Sequence, residues 1–310
     1  MKIAILSRKA TLYSTSRLVE ACRQRGAEVM VLDPLECIVK LSKKRPEVFH
    51  NNERVTGLDG VVPRIGASIT FYGLAVLRQF EMMGVFAANG SQGISRSRDK
   101  LRSLQLFSRH DIGIPPTAFA RRREDIRPAI RKVGGAPVIL KLLEGTQGMG
   151  VILAESVKSA ESVLDAMSTL RQNILIQAFV EEAGGTDYRA IVVGGKVVAA
   201  MARTAGEGEF RSNLHRGATA TGVTLEPAFE KTAIHAAEVL GLNIAGVDML
   251  PSKEGPMVLE VNSSPGLEGI ERTTGADVAG AMIDFVLAHA HHPGHAAHPA
   301  DADPDNRSRG

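Results

Sequence analysis

Along the first part of the chain, apolar positions switch between a buried-strand run and a helical spacing. Ile3 to Leu6 is an unbroken apolar stretch of strand length, a helical pattern follows from about Ser14 to Arg25 with Gly26 as its stop, and Glu28 to Leu32 is again strand-like. Strand, helix and strand in that order open a βαβ unit. The pattern recurs as a strand over Gly60 to Ile65, a helix from Ile69 to Met83 closed by Gly84, and a short strand at Val85 to Ala88. A parallel α/β domain over residues 1–95 is the simplest assembly. No G-x-G-x-x-G follows its first strand, so nothing here argues for a dinucleotide.

After Arg98 the pattern changes to a helix ending near His110, a Gly113 to Pro116 turn, and strands alternating with helices, which predicts a smaller α+β unit over residues 96–173. From Ile174 strands dominate. Gly194-Gly195 joins Tyr188–Val193 to Lys196–Met201 as a hairpin, and a helix runs from Pro227, suited to a first helical turn, to Leu240 before Gly241. Two more strands and a last helix from about Ala276 to His289 complete a third unit over residues 174–289. The expected fold class is therefore α/β followed by α+β. Residues 290–310, rich in His, Pro, Ala and Asp and without periodicity, are expected to be a disordered tail, whose histidines lack a folded frame for a specific metal site.

Composition narrows the class. A chain of 310 residues has room for two or three domains, and 44% apolar with 23% charged residues is a globular balance. No run of about 18 apolar residues exists to span a bilayer, and the apolar stretch after Lys2 is too short for a signal peptide, so cytoplasmic residence is expected. Cys22 and Cys37 fit reduced structural thiols. A net charge of +3, no Trp and 4% aromatics leave little with which to bind nucleic acid directly.

Chemistry gathers in four segments. Ala245–Leu250 and Met257–Asn262 flank the turn formers Pro251 to Pro256, and a turn centred on Glu254 puts Asp248 opposite Glu260, with Asn262 two residues on along the same face. Val247, Met249, Leu259 and Val261 fall on the other face. Three hard oxygen donors suit Mg²⁺ shared with phosphates, although a half-exposed hairpin with polar residues toward solvent fits these strands equally well. Lys141 ends an apolar strand, and Gly145, Thr146, Gln147, Gly148 and Gly150 lead into another. This is a glycine flap able to wrap a phosphate, but no Walker A loop, since a strand follows and not a helix. Arg203 and the run Arg211, Ser212, Asn213 and Arg216 concentrate cations and donors, either for transferred charge or as an ordinary surface loop. Ser263 to Gly269 form a small-residue loop leaving the proposed metal strand.

Taken in order, Arg98-Asp99-Lys100, the Lys141 strand with E-G-T-Q-G-M-G-V, F-R-S-N-L-H-R-G, A-G-V-D and L-E-V-N-S-S-P-G-L-E-G-I-E resemble the ATP-grasp superfamily, specifically its RimK type. The resemblance runs from Met1 to about His289. It implies an ATP-grasp fold: an N-terminal parallel pre-grasp domain, a small central domain and a C-terminal antiparallel-sheet grasp domain, with ATP held between the last two. It also implies that Lys100 and Lys141 approach the phosphates and that Gly145 to Gly150 cover them. Gln177, Ala178, Phe179 and Val180 would form the adenine hinge, and Asp187 would face the ribose. Relatives tend to carry an acidic residue and a tyrosine where this chain has Ala178 and Phe179; hinge contacts use backbone, so nucleotide binding is expected to survive.

By the same resemblance Arg211, Ser212 and Asn213 lie beside the phosphates, with Arg211, Asn213 and Arg203 in catalysis. Asp248, Glu260 and Asn262 are the Mg²⁺ ligands, of about two ions with Mn²⁺ able to substitute. The implied reaction adds L-glutamate to the C-terminal glutamate of a small-subunit ribosomal protein (S-six) through an acyl phosphate, with poly-glutamate as a further product and a homo-oligomer, a tetramer, as the assembly. Both substrates are anionic, which gives Arg203, Arg216 and Arg64 a task. Rival readings within the superfamily are a cofactor γ-glutamyl ligase and a carrier-protein ligase of lysine biosynthesis; outside it, a nucleotide-binding regulatory module.

Overall fold

The computed structural model describes residues 1–142, 151–167, 174–206 and 217–290. The first part runs β1 (Lys2–Leu6), α1 (Tyr13–Gln24), β2 (Glu28–Leu32), β3 (Cys37–Lys40), β4 (Glu47–His50), β5 (Glu53–Arg54), β6 (Gly60–Pro63), α2 (Thr70–Met82) and β7 (Phe86–Ala87). β2-β1-β6-β7 form a parallel sheet, as the βαβ pattern predicts, and β3-β4-β5 form a small antiparallel sheet that the periodicity did not reveal. Its strands are two to four residues long, too short to show an alternation.

The middle of the chain contains α3 (Ser91–Arg98), α4 (Lys100–Arg109), β8 (Thr117–Ala120), α5 (Ile126–Lys132), β9 (Val138–Leu142), β10 (Val151–Ala154), α6 (Val157–Met167) and β11 (Ile174–Ala178). β10-β9-β11-β8 make one antiparallel sheet. β11, expected to open the last unit, is hydrogen bonded between β9 and β8; a strand's period tells its faces and not its neighbours.

The last part comprises β12 (Thr186–Val193), β13 (Lys196–Thr204), β14 (Thr219–Gly222), α7 (Pro227–Leu240), β15 (Ile244–Leu250), β16 (Met257–Asn262), α8 (Glu268–Thr274) and α9 (Val278–His289). Its antiparallel order is β14-β13-β12-β15-β16. Gly194 and Gly195 take φ of +56° and +75° in the β12–β13 turn, the left-handed pair that a two-residue hairpin requires. The single last helix expected from Ala276 is preceded by the separate α8, ended by Gly275 at φ +69°.

Packing joins the first and last parts, and most of the middle sheet packs on itself, with Leu175 of β11 reaching the first shared core. One core runs from Ile65, Phe80 and Ile94 through Phe107 to Leu240, Val247 and Met249, and a second from Ile3, Leu18 and Val62 to Ile191, Ile270 and Val286. Both cross from the parallel to the antiparallel sheet. Around the rim Arg17 bonds Glu271 and Asp277, and Arg25 bonds Asp284. The middle sheet has its own cluster of Ile130, Val138, Leu140, Leu164 and Ile176. Cys22 and Cys37 are free and buried, and burial pushes their thiols up to about 11 and about 12, so neither is a thiolate near neutrality. Among the described residues no helix is long and apolar enough to cross a membrane.

Candidate active site

The β15–β16 hairpin pairs Asp248 with Glu260 and Gly246 with Asn262, the register the turn residues predict. It reaches that register by a detour. Leu250 pairs with Met257 and Met249 with Val258, and a bulge between Asp248 and Met249 then shifts the ladder so that Asp248 meets Glu260. Leu259 is thereby only half-buried while Val258 is fully buried, correcting the simple alternation that put Leu259 on the core face. The displaced Val258 N–H donates to the Gly113 carbonyl at 2.7 Å, which ties the bulge to the turn after α4. Gly246 is needed for close approach: a Cβ there would lie 2.8 Å from Cβ of Pro265, whose loop folds back over the strand.

On the site face of this sheet a ladder of charge crosses four strands. Arg203 on β13 donates from Nε (2.7 Å) and Nη2 (2.5 Å) to the two oxygens of Asp187 on β12, and from Nη2 to Asp248 Oδ2 at 3.2 Å. Arg189, two residues beyond Asp187 and opposite Asp248, forks onto both Asp248 oxygens at 2.7 and 2.6 Å. Asn262 Nδ2 donates to Glu260 Oε1 at 3.0 Å. Asp187, Arg203 and Asp248 are all at most 4% exposed, whereas Glu260 is exposed. Burial alone would raise the Asp248 carboxyl, but the two guanidiniums overcome it and hold it below the ordinary carboxylate range.

Facing the hairpin is a set of cations. Lys141 on β9 lies opposite Leu175 of β11 and Val151 of β10, so the strand-turn-strand flap is observed on both sides of its loop. Burial pushes its ammonium down to about 8; Glu260 opposes the shift and Lys100 adds to it, which places Lys141 among Glu260 and Lys100. Lys100 begins α4, whose N-terminus is capped by Asp99 Oδ1 accepting from Arg102 N at 2.9 Å. Arg98, at the end of α3, is also within the field of Glu260.

In the expected hinge, Gln177 is buried and its Nε2 donates to Thr117 Oγ1 at 2.8 Å. The N–H groups of Ala178 and Phe179 already donate to the Pro116 and Pro137 carbonyls. Gly145, Thr146, Gln147, Gly148, Arg211, Ser212, Asn213 and Arg216 lie outside the described residues.

The hairpin's donor set fits a divalent cation. Glu260 and Asn262 offer oxygens at the exposed end, and Asp248, with about four lone-pair positions, has three taken by arginine N–H groups. Lys141 and Lys100 beside it fit phosphate.

Residues 97–286 match the family model of the RimK-like ATP-grasp domain, and residues 1–94 that of the RimK PreATP-grasp domain. The chain belongs to the RimK-like ATP-grasp family. It is 58% identical over 290 residues, 94% of this chain and 96% of the relative, to a Vibrio cholerae protein called probable alpha-L-glutamate ligase. Identity to the protein of that name from Thioalkalivibrio sulfidiphilus is 61% over the same coverage. Among solved structures it is similar to the RimK domain protein ATP-grasp of Sphaerobacter thermophilus, at 26% identity and TM-score 0.71, covering 93% of this chain and 100% of that one. ATP-grasp ligase PsnB, solved with minimal precursor, Mg and ADP, shares the fold at TM-score 0.74 and 18% identity, over 94% of this chain and 98% of its own.

This RimK-like chain is accordingly an ATP-dependent carboxylate–amine ligase. Of the residues that hold its site together, Arg189 escaped sequence reading. The available signal was period two: Asp187 and Arg189 share a face, the same one that meets Asp248. Asn89 carried no such signal. It is buried and bridges the Ile244 and Ser263 carbonyls at 2.7 and 3.0 Å, fixing where β15 and the loop after β16 stand against the parallel sheet.

Proposed function

We propose that the chain joins L-glutamate to the C-terminal glutamate of a small-subunit ribosomal protein. The observation that carries the glutamate is the 58% identity, across 94% of the chain, to a protein called probable alpha-L-glutamate ligase. The acceptor carboxylate attacks the γ-phosphorus of ATP and ADP leaves. The glutamate amine then attacks the acyl carbon, expelling phosphate and losing a proton as the amide forms. No protein nucleophile is required; positioning and charge neutralisation supply the rate. Asp248, Glu260 and Asn262 would hold Mg²⁺, which supplies charge neutralisation at the transferring phosphoryl group. Lys100, Lys141 and the Gly145–Gly148 segment take the phosphates, Gln177 to Phe179 the adenine, and Asp187 the ribose side. Arg211, Ser212 and Asn213 match the family segment that serves the phosphates, with Arg211 and Asn213 in catalysis, and Arg203 holds Asp248 in position. The chain acts in the cytoplasm as a homo-oligomer, with domains over residues 1–95, 96–173 and 174–289, except that β11 of the last range belongs with the middle sheet, and a tail after them.

The test is ADP release and glutamate mass increments, with glutamate alone, the ribosomal protein and an amino-acid carrier protein offered separately. Addition to the ribosomal protein is expected; addition only to the carrier, or only to free glutamate, replaces the acceptor. Asn262→Ala is expected to remove turnover while leaving the melting temperature within about 3 °C, as for a substitution away from any buried network. Retained turnover would remove Asn262 from the metal site.

A further inference from the structure

Three of the four buried side-chain polar atoms without a hydrogen-bond partner among the described residues belong to segments that meet in one place. They are Nη1 of Arg64, Nε of Arg98 and Oγ of Ser263; the fourth, on His50, lies elsewhere beside Glu36. Arg64 follows β6, its N–H bonded to the Leu6 carbonyl and its Nη2 to the Pro265 carbonyl at 2.7 Å. Arg98 donates from Nη2 to the carbonyl of the next residue, Ile65. Ser263 and Ser264 follow β16; the Ser263 carbonyl is held by Asn89, and Ser264 Oγ reaches the Pro63 carbonyl at 3.4 Å. Backbone carbonyls thus fix one edge of each guanidinium and leave another edge inward and unmet.

Such an arrangement is costly. A buried charged donor without an acceptor forfeits its hydration with no return, and two guanidiniums held together repel. Burial and the neighbouring Arg98 push Arg64 down to about 10. Among the described residues no hydrogen bond or ion pair joins either arginine to an acidic side chain, and the carboxylate whose field reaches Arg98 is the exposed Glu260 of the metal hairpin. A planar anion with two oxygens, accepting from Arg64 Nη1 and Arg98 Nε with the Ser263 hydroxyl as a third donor, would satisfy all three at once. Lys141 and Lys100, the cations assigned above to phosphate, belong to β9 and α4, whereas this pair is anchored to β6, α3 and the 263–265 loop.

We propose that Arg64, Arg98 and Ser263 form a carboxylate subsite that seats one end of an anionic substrate against the Asp248–Glu260–Asn262 hairpin. The subsite rests on the glutamate-ligase reading for the identity of its ligand but not for its existence. The carboxylate belongs either to the incoming glutamate or to the acceptor's C-terminus, and separate kinetic arms decide between them.

ADP release by the full chain and by Arg64→Met, Arg98→Met and Ser263→Ala is measured with ATP, L-glutamate and a peptide ending in glutamate varied one at a time. Losing one charge-assisted hydrogen bond is expected to raise KM for one carboxylate substrate at least about tenfold while KM for ATP stays within about twofold. The substrate whose KM moves is the occupant, and Arg64→Lys recovers part of the loss. Unchanged KM for both carboxylate substrates, or a rise confined to ATP, overturns the subsite. Should a Met variant fail to fold by its melting curve, Arg64→Lys and Ser263→Ala decide by the same criterion. If the unaltered chain releases no ADP with glutamate, the reaction fails and the subsite is judged by calorimetry with glutarate and ADP. Binding at least about tenfold weaker in Arg64→Lys or Ser263→Ala supports it, and equal or absent binding in all chains overturns it.

Discussion

Arg203 and Arg64 are the same side chain held inward at one site, and they stand in opposite conditions. Arg203 is 3% exposed with its guanidinium shared by Asp187 and Asp248, whereas Arg64 has a backbone carbonyl on one edge and, among the described residues, no partner for Nη1 on another. The first is a completed ion network and the second an incomplete one. A completed network positions other groups, because the edge it uses is taken up by carboxylates; an incomplete one leaves a buried donor for a ligand. The contrast supports the proposed division of labour, with Arg203 and Arg189 bound to the Asp248 carboxylate and the substrate carboxylate proposed to meet Arg64 and Arg98.

The contrast breaks most readily at Asp248. Its replacement by alanine strands the half-buried Arg189 guanidinium and takes from Arg203 its second carboxylate, leaving it Asp187 alone, and breaking a buried pair costs about 3–5 kcal/mol. Urea unfolding of Asp248→Ala is expected to show that loss together with abolished turnover; a stability within about 1 kcal/mol of the unaltered chain would mean the network holds nothing. Arg189→Met is gentler, since Asp248 keeps Arg203, and a loss of about 1–3 kcal/mol is expected from the unpaired carboxylate edge. If Arg189→Met matches Asp248→Ala in cost, the four residues behave as one unit.

Acid should reveal the completed side as well. The folded carboxyl of Asp248 lies below its unfolded value near 3.9, so the unfolded chain binds the proton first. The stabilisation is fully present above about pH 4 to 5 and is lost as pH falls through the depressed value. Asp248→Asn removes the titration, and its stability is expected to fall less steeply between about pH 4 and pH 2 than that of the unaltered chain; parallel curves would assign the acid limb to other carboxylates.

How much of this was legible beforehand follows from what a period can encode. The βαβ opening, the Gly194-Gly195 hairpin, α7 and the Asp248–Glu260 register were all readable, because each depends on neighbours close in sequence. The half-buried Leu259 was not, since the bulge that displaces it depends on Val258 finding the Gly113 carbonyl, far away along the chain. β11 joined the middle sheet for a similar reason: its apolar run is the same whichever strands it pairs with. The candidate metal residues stood out as polar positions on an apolar hairpin. That Asp248 is buried under two arginines did not, because Arg189 and Arg203 come from two other strands and only the sheet order brings them to it.

Lys141 tests the incomplete side with the smallest expected effect. Its ammonium is pushed down to about 8 by burial, so the free chain loses that charge just above neutrality. Lowering a base's pKa in the fold means the unfolded chain holds the proton longer, so this group favours folding more as pH rises from about 8 to about 10, the same sign as Asp248 in a more alkaline window. A bound polyphosphate favours the ammonium and should draw the proton back. ATP affinity is then expected to weaken up to about tenfold between pH 7 and pH 9, with net proton uptake on binding near pH 8. Calorimetry in buffers of differing ionisation enthalpy measures that uptake directly, and Lys141→Arg, which keeps its charge throughout, should abolish it. Equal uptake in Lys141→Arg would move the titration to another group and remove Lys141 from the phosphates.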